Sequence, residues 1–164
     1  MNLEILLRKS IRNWSLFFIM ALILSGITAF ALETELAWLN DYVFSGTNAF
    51  SGWIHKVYRA LQDVNAKYPF MAYGYDWLAF AHLVIAIAFI SVLRDPVRNK
   101  WIVQFGQIAC IMIFPLAFIA GQIRGIPFFW RLLDCSFGLI GLIPLTICRR
   151  KIDKLENLQS IHKY

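Results

Sequence analysis

Residues 127–146 read PFFWRLLDCSFGLIGLIPLT. A helix rises ~1.5 Å per residue, and a bilayer's hydrocarbon core is about 30 Å thick, so roughly 20 apolar residues span it. This stretch has the length and the apolar character of a crossing, yet Arg131 and Asp134 lie inside it. Three other runs have the same character: NWSLFFIMALILSGITAFAL (13–32), WLAFAHLVIAIAFISVL (77–93) and WIVQFGQIACIMIFPLAFIAG (101–121). With the fourth taken as 128–148, the chain reads as a single all-α integral membrane domain, an antiparallel four-helix transmembrane bundle.

Composition agrees. The 164-residue chain is 59% hydrophobic and 16% charged, against about 25% charged for an ordinary soluble domain. The net charge of +6 comes from clusters that flank the apolar runs. It is therefore not a nucleic-acid footprint, and no nucleic-acid partner is expected. Cys110, Cys135 and Cys148 are scattered without a C-x-x-C pair, which argues against a disulfide framework or a cysteine zinc site and leaves three small buried hydrophobes.

Lys and Arg set the orientation. Arg8, Lys9, Arg12, Arg94, Arg98, Lys100, Arg149, Arg150, Lys151, Lys154 and Lys163 fall on one side, eleven of the 16 basic residues; Lys56, Arg59, Lys67, Arg124 and Arg131 fall on the other. The excess places both termini in the cytoplasm of a bacterial-type inner or plasma membrane, with a cytoplasmic tail at 149–164. Trp14 and Trp101 then mark the inner interface, and Trp38, Trp77 and Trp130 the outer one. A rival reading of the start stays open. Three basic residues, an apolar stretch and AFA at 29–31 resemble a secretory signal peptide that would remove residues 1–31, although the stretch exceeds the usual 7–15 residues.

The links are short, which makes consecutive helices neighbours, except for an outer loop at 33–76. Within that loop Phe50, Ile54, Val57 and Leu61 recur at helical spacing, with His55, Arg59 and Gln62 on another face, as in an amphipathic helix on the outer leaflet. Asp76 is placed as the N-cap of the second crossing. Pro127 suits the first turn of the fourth. In the tail Ile152, Leu155, Leu158 and Ile161 suggest a short helix on anionic cytoplasmic lipid.

Helices associate in lipid through small residues. Ala21, Ser25 and Ala29 form such a line on the first helix, continued by Glu33; Ala79, His82 and Ala86 share a face on the second; Asp134, Gly138 and Gly141 share one on the fourth. Gln104 and Gln107 are the polar residues of the third, and Pro115 is expected to kink it and free a carbonyl. By residue rise, His82 lies roughly 8 Å and Asp134 roughly 9 Å below the outer surface. Glu33, His82, Arg124, Arg131 and Asp134 are thus expected to gather in an outward-facing polar pocket. The plain reading of Arg131 and Asp134 is an ion pair that fixes register; the sharper one gives Arg124 and Arg131 an anionic or polar headgroup to hold. For His82 the plain reading is an interhelical hydrogen bond, and the sharper one a proton carrier acting with Asp134 or Glu33. No ligand spacing supports a metal on His82, Asp134 and Glu33, and nothing in the sequence names a cofactor. Phosphate-loop, nucleophile-elbow and H-E-x-x-H motifs are absent.

Three functions fit. The first is a non-catalytic accessory or ligand-binding bundle that meets membrane lipids and a protein partner or a second copy of itself. The second is a membrane-embedded acid–base enzyme acting on a lipid-like substrate. The third, a small dimeric transporter, fits least, because the ionisable residues lie toward one side whereas a carrier wants them near the midplane.

Overall fold

A computed structural model describes residues 3–44, 46 and 48–161, all of whose regular elements are helical. They are α1 (Leu3–Phe30), α2 (Leu32–Trp38), α3 (Ala49–Lys67), α4 (Tyr73–Arg94), α5 (Lys100–Pro115), α6 (Gly121–Ile123) and α7 (Phe128–Ile161). A π-helical turn, Leu39–Val43, prolongs α2, and a second, Leu116–Ala120, joins α5 to α6 without a break; a 3₁₀ turn, Pro69–Ala72, leads into α4. Four helical stretches are long and apolar enough to cross a membrane: Leu3–Phe30, Pro69–Arg94, Lys100–Ile123 and Phe128–Ile161. Their exposed faces carry large apolar side chains at helical spacing, such as Phe17, Met20, Leu24 and Ile27 on α1 and Leu133, Phe137 and Ile140 on α7. Stripes of that size are untenable in water and normal against lipid.

The apolar runs sit inside longer helices. Residues 149–161 do not form a separate surface helix but continue α7, and Ile152 and Leu155 are fully buried. α1 likewise starts ten residues before its apolar run. The tail was expected to rest on lipid; instead the first half of its apolar stripe, Ile152 and Leu155, is covered by protein, while Ile161 at its end is exposed. His162 and Lys163 lie outside the described residues.

The described residues group into two compact units. The first joins α1 up to Ala21 with everything from Ala86 onward. Here α1 and α7 run in opposite directions. Gln159 donates to Glu4 (3.4 Å), Lys151 to Ser10 (2.6 Å), and the Ser15 hydroxyl meets the Cys148 thiol at 3.4 Å. α5 pairs with α7 in the same antiparallel sense. Lys100 binds Glu156 (2.6 Å) and Asp153 (3.1 Å), and Gln107 donates to Thr146 (3.3 Å). Gly138 is what lets these two backbones meet: a Cβ there would stand 2.7 Å from the Cys110 carbonyl oxygen. Ile11, Phe89, Val92, Val103 and Cys148 form the core. All three cysteines are free and buried.

The second unit is Leu22–Ile85. α3 is the amphipathic helix the spacing implied, with Ile54 buried and Arg59 and Gln62 exposed. Asn48 caps it, its side-chain oxygen accepting from the Ser51 N–H at 2.8 Å. Asp76 is not the N-cap of α4; the helix begins at Tyr73 and Asp76 lies in its first turn, where a negative charge still complements the helix dipole. The small-residue line on α1 is also corrected. Ala21 and Ser25 are exposed, and the close approach is made by Gly26, where a Cβ would lie 3.0 Å from the Ala79 carbonyl oxygen. A residue with no side chain outcompetes alanine and serine as the point of nearest backbone contact. Ala79 is fully buried there.

Candidate functional site

Within the first unit the path α5–α6 changes pitch at Pro115. Pro115 has no N–H to give to the carbonyl one turn back, and the chain passes through the π turn Leu116–Ala120 before one last α turn, Gly121–Ile123. Gly125 then ends the helix in the left-handed region (φ 66°), with Ile126 N–H bonded to the Gly121 carbonyl (2.9 Å) and Gly125 N–H to that of Gln122 (3.2 Å). Pro127 precedes α7 rather than opening it, and its carbonyl accepts from the Trp130 and Arg131 amides.

This irregular segment leaves a groove of about 290 Å³ against α7, lined by Ile113, Leu116, Ala117, Ala120, Gly121, Arg124, Ile126 and Asp134. Two of the expected site residues, Arg124 and Asp134, therefore share one cavity wall. Asp134 has no hydrogen bond or ion pair with any described residue, and Arg124 is exposed. Arg131 stands beside the groove. Its side chain lies across Gly121, whose Cβ, if present, would be 2.8 Å from Arg131 Cδ, and its guanidinium sits 5.4 Å from the Phe128 ring centroid. Its Nε is buried without a hydrogen-bond partner.

Arg131 and Asp134 form no ion pair. Arg131 is instead turned toward Phe128, three residues back on α7, and lies across Gly121. The register-fixing pair expected from sequence is replaced by two separately held charges that border one groove.

The other two candidates belong to the second unit. Glu33 does not prolong a line of α1, because the chain leaves helical geometry at Ala31 (φ −95°, ψ 19°) and Glu33 lies in the first turn of α2. Its carboxylate accepts a short hydrogen bond from Asn65 of α3, whose side-chain oxygen in turn accepts from the Tyr75 hydroxyl of α4 (3.2 Å). Glu33 is thus one end of a polar chain across three helices. Asn65 and Tyr75 gave no signal in the sequence, since 32 residues separate Glu33 from Asn65 and neither belongs to a motif. His82 is half-buried, and its Nδ1 lies 2.8 Å from the Leu78 carbonyl oxygen. A carbonyl can only accept, so Nδ1 donates this bond. The bond is local, one turn back on α4, and not the interhelical bond expected.

Of the polar residues on α5, Gln107 bonds Thr146, and Gln104 is exposed. Among the described residues no three His, Cys, Asp or Glu side chains gather as a metal site. No protein-family model, no curated protein and no solved structure matches this chain.

Proposed function

We propose that the protein is an integral membrane bundle of four antiparallel crossings, with both termini cytoplasmic, and that it acts as a non-catalytic ligand-binding or accessory protein. Its ligand site is the groove beside the π turn, opening toward the outer half of the bilayer. The excess of Lys and Arg on the 1–12, 94–100 and 149–163 side supports this orientation.

One observation carries the functional reading. Arg124 and Asp134 line the same 290 Å³ groove without neutralising a partner, and the neighbouring Arg131 keeps a buried Nε unsatisfied. A charge at the end of an apolar helix needs water, a counter-charge or a ligand. A polar headgroup with an anionic part suits two arginines, and a hydroxyl or amine on the same headgroup suits Asp134. An apolar tail would follow Ile113, Leu116 and Ala117 along α5.

Native mass spectrometry of the full-length protein in mild detergent tests this. Wild type retains a lipid-sized ligand. Arg124→Gln with Asp134→Asn loses it, while the thermal midpoint in detergent stays within a few degrees. Loss of ligand and of stability together would reduce the cluster to a structural role.

The second reading, an acid–base enzyme on a lipid-like substrate, is favoured by His82, whose one side-chain hydrogen bond uses Nδ1 and leaves Nε2 without a bond to any described residue. It predicts turnover of the retained lipid, abolished by His82→Ala or Asp134→Asn at unchanged yield.

A further inference from the structure

A different cavity, in the unit Leu22–Ile85, carries its own chemistry. It measures about 290 Å³ and is lined by Phe30, Tyr73, Asp76, Trp77 and Phe80. Tyr73, Trp77 and Phe80 recur four and three residues apart, so they share one face of α4. Their rings stand edge to face: the centroids of Tyr73 and Trp77 are 5.8 Å apart at 79°, and those of Trp77 and Phe80 5.8 Å apart at 90°. Phe30, the last residue of α1, closes the cavity from the side. All four rings are at least half exposed. Asp76, among them, has no hydrogen bond or ion pair with any described residue.

An interfacial belt accounts for a tryptophan or a tyrosine but not for this set. The faces of aromatic rings carry partial negative charge and their edges partial positive charge. The same faces attract a cation, most strongly an alkylated ammonium whose weak hydration is easily given up. Asp76 is the one acidic residue in the lining; beside it the lining residues carry only the Tyr73 hydroxyl and the Trp77 N–H as polar side-chain groups.

We infer that the Phe30–Tyr73–Asp76–Trp77–Phe80 cavity binds the ammonium of an amine-bearing phospholipid headgroup, phosphatidylcholine or phosphatidylethanolamine. A lipid, rather than a free amine, is favoured because Trp77 heads the apolar run of α4 and the cavity walls continue into that helix's exposed apolar face at Val84 and Ile87. The acyl chains then lie on the helix while the ammonium reaches Asp76. The inference rests on α4 crossing a bilayer, but not on the groove at Arg124 and Asp134.

The test is lipid retention by the full chain in a non-ionic detergent, read by native mass spectrometry after supplying phosphatidylcholine, phosphatidylethanolamine or phosphatidylglycerol. The two amine lipids are expected to be held at least about threefold better than phosphatidylglycerol, with Asp76→Asn and Trp77→Leu each removing that preference and Trp77→Phe keeping part of it. Glu35→Gln and Phe70→Leu, which remove an acid and an exposed ring outside the cavity, should leave it intact. Equal losses in these controls, or equal retention of phosphatidylglycerol, would leave only a general interfacial belt and overturn the site. Displacement of the lipid by tetramethylammonium chloride at concentrations below those of competing phosphatidylcholine would assign the cavity to a soluble cation and overturn the lipid. Thermal midpoints in lipid-free detergent, expected to match wild type, separate a lost site from a lost fold; should Asp76→Asn fail that check, Trp77→Leu carries the comparison. Because the groove variants Arg124→Gln and Asp134→Asn should keep the amine-lipid preference, failure here and failure of the proposed function are separately visible.

Discussion

Single residues decide more here than their exposure suggests. Glu33, Asn65 and Tyr75 tie α2, α3 and α4 together through two side-chain hydrogen bonds, one of them to a carboxylate. A bond to a charged group contributes about 1.5–3 kcal/mol and a neutral one about 1 kcal/mol. Asn65→Leu removes both and leaves the part-buried carboxylate of Glu33 without its donor, whereas Tyr75→Phe removes only the outer bond. Thermal melts in detergent should therefore rank wild type above Tyr75→Phe and Tyr75→Phe above Asn65→Leu; equal midpoints would show the chain to be incidental. Glu33 could be singled out from sequence as an ionisable residue at the end of an apolar run. Its partner could not, because a contact across 32 residues leaves no periodic trace. The Arg131–Asp134 separation was hidden for another reason: their spacing allows a pair, and it is the seat of Arg131 against Gly121 and Phe128 that takes it elsewhere.

At the scale of elements, glycine positions distinguish packed faces from open ones. The Cβ of Gly138→Ala would be driven to 2.7 Å from the Cys110 carbonyl oxygen, and backbone cannot step aside as a side-chain tip can. α5 and α7 would have to separate, at a cost of about 1–3 kcal/mol. Gly52 is the contrasting case, exposed in α3 with nothing within 4 Å of an added Cβ. There alanine removes only glycine's entropic penalty, so Gly52→Ala should raise stability by up to about 1 kcal/mol. Opposite signs for two identical substitutions, read as shifts of the same melting transition, check this contact map. Pro115 illustrates how far sequence reaches into an element. A proline inside an apolar run points to a disturbed helix, but a missing N–H does not dictate a π turn, and it is the π turn that borders the groove.

For the whole molecule, the charged ends of α5 and α7 act as a clasp beyond the apolar runs. Burial pushes the Asp153 carboxyl up, but the bonds from Lys100 and Arg149 and their charges outweigh it and hold it below its ordinary value of 3.8. A carboxylate whose folded pKa is depressed adds stability above its unfolded pKa and loses it as pH falls through the folded value. Detergent stability should be flat with respect to this group near neutrality and drop below about pH 4. Asp153→Asn should lower the neutral plateau and flatten that acid limb; an unchanged limb would remove the clasp from the acid response.

Local chemistry fixed what the sequence alone determined: four long apolar helices, an amphipathic α3 between the first two, buried cysteines and basic charge clustered beside the apolar runs. Chain-local periodicity and transfer energy suffice for those, because each residue's preference for lipid or water is nearly independent of distant neighbours. Tertiary structure alone decided that the tail of α7 is clothed by α1 and α5, that Gly26 rather than an alanine line makes the close approach, and that Asp134 faces a groove instead of pairing with Arg131. Those outcomes depend on which backbones meet and on the direction each side chain leaves its helix, and neither is written in the spacing of residues along one strand of chain.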